Sequence, residues 1–155
     1  DGLKRAFGYY ETYDYDVGVR DIAATVRHLR AMDACNGQIA VSGFCMGGTF
    51  AYLAATRLDV DVAVGYYGTM IHKYLNEADR VNCPILLHFG GKDHTAPPEI
   101  LDPIRKTLEA RERVRIELYP DAQHAFANPT RPSYDAAAAK LAHTRTLAFM
   151  HAAMD

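Results

Sequence analysis

Gly43-Phe44-Cys45-Met46-Gly47-Gly48 stands between an apolar run, Ile39-Ala40-Val41, and a helix-favouring stretch, Thr49-Phe50-Ala51-Tyr52-Leu53-Ala54-Ala55. The order is strand, tight turn, helix start. It has the form G-x-S-x-G with cysteine in place of serine, the pattern of a nucleophile elbow. Glycines two before and two after Cys45 let the backbone pass close to itself, which lifts the cysteine out of the sheet. The amide of Met46, at the start of the helix, then faces the same point as the sulfur and can donate to an oxyanion. A cysteine between glycines can also be a small buried hydrophobe, so the flanking strand and helix carry the reading.

Outward from the elbow, periodicity changes several times. Val19, Ile22, Ala23, Val26, Leu29 and Met32 recur at helical spacing from Gly18 to about Asp33, with Arg20, Asp21, Arg27 and Arg30 elsewhere on the turn. Asn36-Gly37 makes a turn, and Gln38 to Phe44 reads as a strand apolar on both faces, which belongs inside a parallel sheet. The helix after Cys45 reaches about Arg57, followed by buried strands over Val60 to Tyr66 and Pro84 to Phe89, with a short helix or loop from Ile71 to Asn76 between them. Pro97-Pro98 opens a helix through about Glu112. Arg115 to Tyr119 alternates as an edge strand does, and Ser133 is the candidate N-cap of a last helix ending near His151. Residues 1–17, with four irregularly spaced tyrosines, read as loop or the tail of an earlier helix. Strands alternating with helices predict an α/β fold, a parallel sheet covered on both faces, in a single domain.

With 17 lysines and arginines against 19 aspartates and glutamates in 155 residues, charge gives no case for nucleic acid. Three cysteines without framework spacing argue for a reducing compartment, hence the cytoplasm. Cys35 and Cys83 read as packing residues. No run is long and apolar enough to span a membrane, and Asp1 to Arg5 show no signal-peptide pattern.

In an open parallel sheet, chemistry collects at the carboxyl ends of the strands. Cys45 follows one strand, Asp93 follows another through Gly90-Gly91-Lys92, and His124 follows the edge strand through Pro120-Asp121-Ala122-Gln123. Nucleophile, acid, histidine is the chain order of an α/β-hydrolase triad. A thiol is only slightly ionised at neutral pH, so a histidine must take or balance its proton, and an aspartate fixes the histidine's tautomer. Alone, Asp93 could be an Asx turn and His124 a loop histidine. Tyr66 and Tyr67 suit a pocket wall and core packing equally. His94 could line the pocket, although its place beside Asp93 points it away from the triad. His88, inside a strand, should pack.

Four motifs together, Gly43 to Gly48, Ala63 to Gly68, His88 to His94 and Tyr119 to Phe126, closely resemble the dienelactone hydrolases, or carboxymethylenebutenolidases. The resemblance runs from about Gly18 to the C-terminus. It implies an α/β-hydrolase fold and a catalytic triad of Cys45, Asp93 and His124. It further implies hydrolysis of small cyclic esters through a cysteinyl thioester, without cofactor or metal. Tyr67, His94, Phe126 and Asn128 fall where the substrate would lie. Asn128 replaces an arginine that clamps a substrate carboxylate in family members acting on dienelactone; Arg131 is nearby, and Lys4 and Arg5 lie close to the place of a second arginine. Family members also have an upstream segment with the first strands, a glutamate that pairs with the thiol and a second oxyanion amide. The chain therefore reads as the C-terminal two-thirds of that fold, its open sheet edge covered by self-association or another partner. A small-molecule-binding domain without turnover is the second reading, and a redox thiol, lacking a resolving cysteine, a weaker third.

Overall fold

The computed structural model describes residues 2–155, with the side chain of Leu3 outside the description. The sheet is built from β1 (Ala40–Phe44), β2 (Val62–Tyr66), β3 (Ile85–Gly90) and β4 (Val114–Tyr119). All pairs are parallel and adjacent in chain order, β1-β2-β3-β4. β2 and β3 are buried along their whole length, the expected environment of the uninterrupted apolar runs Val-Ala-Val and Ile-Leu-Leu. β4 alternates and lies at an edge, as its sequence predicts.

The apolar run of β1 suits the interior of a sheet, whereas the family resemblance leaves the sheet edge open at this first strand. β1 is the other edge of the sheet, with Ala40 and Ser42 exposed and Phe44 53% exposed. An apolar run records the tendency to be covered, and among the described residues β2 is its only strand neighbour.

Helix α1 occupies Gly2–Thr12 and α2 occupies Tyr15–Arg30, so of the two readings of residues 1–17, loop or helix, helix holds for most of the described stretch. Asp14 starts α2 by accepting from the amides of Asp16 and Val17, a cap hidden among the tyrosines in the sequence. α3 (Met46–Arg57), a 3₁₀ helix over Ile71–Arg80 and α4 (Pro98–Leu108) pack with α2 against one face of the sheet. α5 (Ala136–Met154) covers the other, through Ala142 and Thr146. Its cap is Asp135, which accepts from Ala137 and Ala138, and Ser133 instead donates its hydroxyl to the His124 carbonyl at 2.6 Å.

The base of α3 is tied down by ion pairs. Arg57 grips both carboxylate oxygens of buried Glu77, at 2.8 and 2.6 Å, and also bonds Asp16 of α2. Thr56 donates to the same Glu77 carboxylate, so the buried acid is paired and satisfied. At the same end of α2, Phe50, near the start of α3, lies over Gly18, where a Cβ would come within 2.5 Å of its ring. The start and end of α3 are thus both held, which leaves the residue before it little freedom.

His88 packs, as expected of a histidine within a strand, and it does so inside a closed polar network under α5. Its Nδ1 is 2.9 Å from the Tyr119 hydroxyl and its Nε2 3.0 Å from Thr146 Oγ1, which in turn lies 2.6 Å from the Tyr66 hydroxyl. Burial, then the positive charges of Arg145 and Arg115, pushes its pKa down to about 3, so the ring is neutral. Replacing Thr146 by valine should strand the Nε2 and the Tyr66 hydroxyl, at a cost of about 2 kcal/mol. A urea-unfolding midpoint equal to that of the unaltered chain would show that the network contributes nothing.

Candidate active site

The turn between β1 and α3 is the most constrained backbone of the chain. Cys45 has φ 56° and ψ −117°, a conformation that costs a side-chain-bearing residue on the order of 1–3 kcal/mol and persists only where its surroundings impose it. Here they do. The Cys45 amide donates to the Tyr66 carbonyl at 3.0 Å, and the Cys45 carbonyl accepts from Gly48 at 2.9 Å. The flanking glycines turn out to be unequal. A Cβ on Gly43 would run into the carbonyl of Gly47, and one on Gly48 would lie 2.6 Å from the Tyr66 carbonyl, but one on Gly47 would meet nothing. The close approach therefore rests on Gly43 and Gly48, with Gly47 contributing its bare carbonyl.

Two further loops meet by a similar device. Gly90, the last residue of β3, and Gly91 press against Ala122 and Pro120, after β4, closely enough that a Cβ on either glycine would collide with backbone. Bonds from Gly91 to the Tyr119 carbonyl at 2.7 Å and from Lys92 to that of Ala122 at 2.9 Å seal the contact. Asp93 and His124 leave these two loops side by side. His124 Nδ1 is 2.9 Å from Asp93 Oδ2, and its Nε2 is 3.3 Å from Cys45 Sγ. Three side chains from the ends of three strands are thus in one hydrogen-bonded line.

Their charges reinforce one another. Burial opposes ionisation of Cys45, but the hydrogen bond from His124, the imidazolium charge and the Met46 amide outweigh it, and the thiol pKa is lowered. Burial likewise opposes the His124 cation, yet bonds to Asp93 and Cys45 push its pKa up to about 9. Asp93, 3% exposed, is held below its ordinary value despite burial, by bonds from His124 and from the hydroxyl and amide of Thr95. Both shifts favour a thiolate beside an imidazolium, and the Met46 N–H adds to the stabilisation of the sulfur.

Two pH effects follow. Alkylation of Cys45 by iodoacetamide should rise with a midpoint below the 9.0 of an ordinary thiol and move back up in His124→Gln. Since the folded pKa of His124, about 9, exceeds its reference of 6.5, its stabilisation is complete below 6.5 and lost as pH rises through 9. Urea midpoints should fall across that upper range more steeply in the unaltered chain than in His124→Gln; parallel curves and an unshifted alkylation midpoint would contradict the ion pair.

The residues expected to line a substrate pocket divide. Tyr67, at φ 40°, sets its ring 5.1 Å from that of His124. His94 is exposed, its ring 5.8 Å from His124 and outside the hydrogen-bonded line. Phe126 is fully buried, packed between Tyr67 and Tyr119, so it supports the wall from behind and offers no surface to a ligand. Asn128 spends its side-chain oxygen on the amide and hydroxyl of Thr130, within its own turn. Thr95, which sequence reading passed over, bonds to Asp93 and His124, and Ser133, read from sequence as an N-cap, bonds to the His124 carbonyl. A hydroxyl two residues after the aspartate was the available signal for Thr95. Among the described residues, the three non-glycine residues with positive φ, Cys45, Tyr67 and Ala125, all belong to or adjoin this cluster.

Among known proteins, the carboxymethylenebutenolidase of Pseudomonas putida is 35% identical over 147 residues, spanning 95% of this chain and 62% of that protein. Carboxymethylenebutenolidase 1 of Cupriavidus pinatubonensis is 31% identical over 144 residues, 93% of this chain and 61% of that one. A Klebsiella pneumoniae crystal structure assigned as a dienelactone hydrolase superposes with a TM-score of 0.78 at 27% identity, covering 86% of this chain and 60% of that one. The chain thus spans about 62% of the length of the P. putida relative. With the dienelactone hydrolase family model matching residues 4–154, nearly end to end, this chain belongs to the dienelactone hydrolase family.

Proposed function

We propose that the chain hydrolyses small esters or lactones with Cys45 as nucleophile. The observation that carries the reading is the single line from Asp93 through His124 to the Cys45 sulfur, with contacts of 2.9 and 3.3 Å, at a strained turn that leads into the Met46 amide at the start of a helix. Similarity to the carboxymethylenebutenolidases supports the substrate class.

In this reading the Cys45 thiolate adds to the substrate carbonyl carbon, forming the C–S bond. The carbonyl oxygen becomes an oxyanion that accepts from the Met46 N–H. On collapse the ester C–O bond breaks, and the leaving oxygen takes the proton from His124 Nε2. In a lactone the leaving group stays tethered to the thioester. Neutral His124 then removes a proton from water as its oxygen attacks the thioester carbon. Collapse of that second intermediate expels the thiolate, releases the acid and leaves the imidazolium as it began. Asp93 holds Nδ1 protonated throughout, so that Nε2 faces the sulfur and the leaving group. Tyr67 packs edge-on against the imidazole, its ring centre 5.1 Å away.

The test is hydrolysis of an activated ester during titration with iodoacetamide, together with the Cys45→Ala chain. Activity should fall in proportion to Cys45 labelling. Turnover that survives full labelling would overturn the reading.

A further inference from the structure

Asp93 and His124 share a third partner. The hydroxyl of Thr95 is 2.7 Å from Asp93 Oδ1 and 3.0 Å from His124 Nδ1, and the Thr95 amide donates to the same Asp93 oxygen at 2.8 Å. The other carboxylate oxygen, Oδ2, faces Nδ1 at 2.9 Å. An ionised carboxylate only accepts, so Asp93 takes the Thr95 hydroxyl proton on one oxygen and the Nδ1 proton on the other. With its own proton committed to Asp93, the Thr95 oxygen can only accept from Nδ1–H. The N–H is therefore shared between Asp93 Oδ2 and Thr95 Oγ1, and three groups close a small ring of hydrogen bonds.

We infer that Thr95 is a positioning residue for the proposed hydrolysis, its hydroxyl holding the Asp93 carboxylate and the His124 ring in one register and keeping the proton on Nδ1. The inference rests on the reading of Cys45 as nucleophile. The backbone amide of Thr95 fixes one carboxylate oxygen whatever the side chain, but it cannot reach the imidazole. The hydroxyl contacts both groups, so it resists rotation of the carboxylate about its own axis and tilt of the ring away from the sulfur. Thr95 touches neither sulfur nor the site of the reacting carbonyl, and it acts through the other two. The titratable groups around the imidazole are Asp93, Cys45, His94 and Tyr67, and none of them supplies a second acceptor for Nδ1–H among the described residues.

Thr95→Val keeps the shape and removes the hydroxyl; Thr95→Ala removes both; Thr95→Ser keeps the hydroxyl. Each chain is assayed for hydrolysis of an activated ester and for Cys45 alkylation by iodoacetamide across pH, beside Cys45→Ala. Valine and alanine should lower kcat about tenfold with KM little changed, and raise the pH midpoint of alkylation, while serine restores both. Three outcomes would overturn the inference: hydroxyl-free variants that match the unaltered chain, a serine variant as damaged as valine, or an alkylation midpoint that stays fixed while activity falls. If valine does not fold, alanine and serine still separate hydroxyl from shape. Loss of the nucleophile reading looks different: Cys45→Ala would then stay active, whatever happens at Thr95.

Discussion

Cys45→Ala should fold normally and hydrolyse an activated ester more slowly by about four orders of magnitude or more, down to the background of the reagent in water. The size follows from the division of labour in the site. His124 and Asp93 remain bonded at 2.9 Å, and the Met46 amide remains in place, but none of them can form the covalent intermediate. Covalent catalysis by a group that acts as a unit with its base is lost almost entirely when the nucleophile goes. Folding should survive because Cys45 is only partly buried and its turn is held by backbone bonds to Tyr66 and Gly48, which alanine retains. Hydrolysis by the alanine chain within tenfold of the original, with a circular dichroism spectrum to match, would remove Cys45 from the chemistry.

Gly43→Ala should be the most damaging single methyl in the chain, a loss of about 4 kcal/mol or more, or failure to accumulate as folded protein. Its added Cβ would run into the Gly47 carbonyl and lie 2.9 Å from the Gly47 Cα. Those atoms are backbone at the first turn of α3, and α3 is anchored at its far end through Arg57 and Glu77, so the collision has nowhere to relax. Gly47→Ala is the matched control. A Cβ there meets nothing within 4 Å, and alanine in place of glycine in a helix is worth about 0.5–1 kcal/mol. Urea midpoints should therefore move in opposite directions for two alanines four residues apart. Equal midpoints would mean that the elbow is not closed by the Gly43–Gly47 approach.

The contrast between these glycines marks how far the sequence could be read. Both appear in the motif as equals, because a pattern records which residues a turn tolerates without saying which atoms come closest. Phe44 and Phe126 make the same point. Each is an aromatic beside a candidate catalytic residue, yet Phe44 is exposed at the sheet edge and Phe126 is fully enclosed. Burial depends on what arrives from elsewhere in the chain. α5 and the Tyr67 loop cover Phe126, whereas no described strand lies alongside β1 on the Phe44 side. Ser133 and Asp135 differ in the same way. Both are acceptable N-caps locally, and the choice fell to Asp135, while Ser133 bonds the His124 carbonyl.

From residue order alone came the alternation of strand and helix, the elbow at Cys45 and the three strand ends that carry cysteine, aspartate and histidine. These are local or periodic properties: hydrophobic spacing and turn chemistry act over a few residues and are written in consecutive letters. Tertiary structure alone decided that Gly48 and not Gly47 is sterically required, that Thr95 closes the hydrogen bonds between Asp93 and His124, and that Phe126 supports the site from behind. Each of those depends on atoms far apart in the chain meeting within 3 or 4 Å, and such meetings are set by how the layers pack, which no short window of sequence contains.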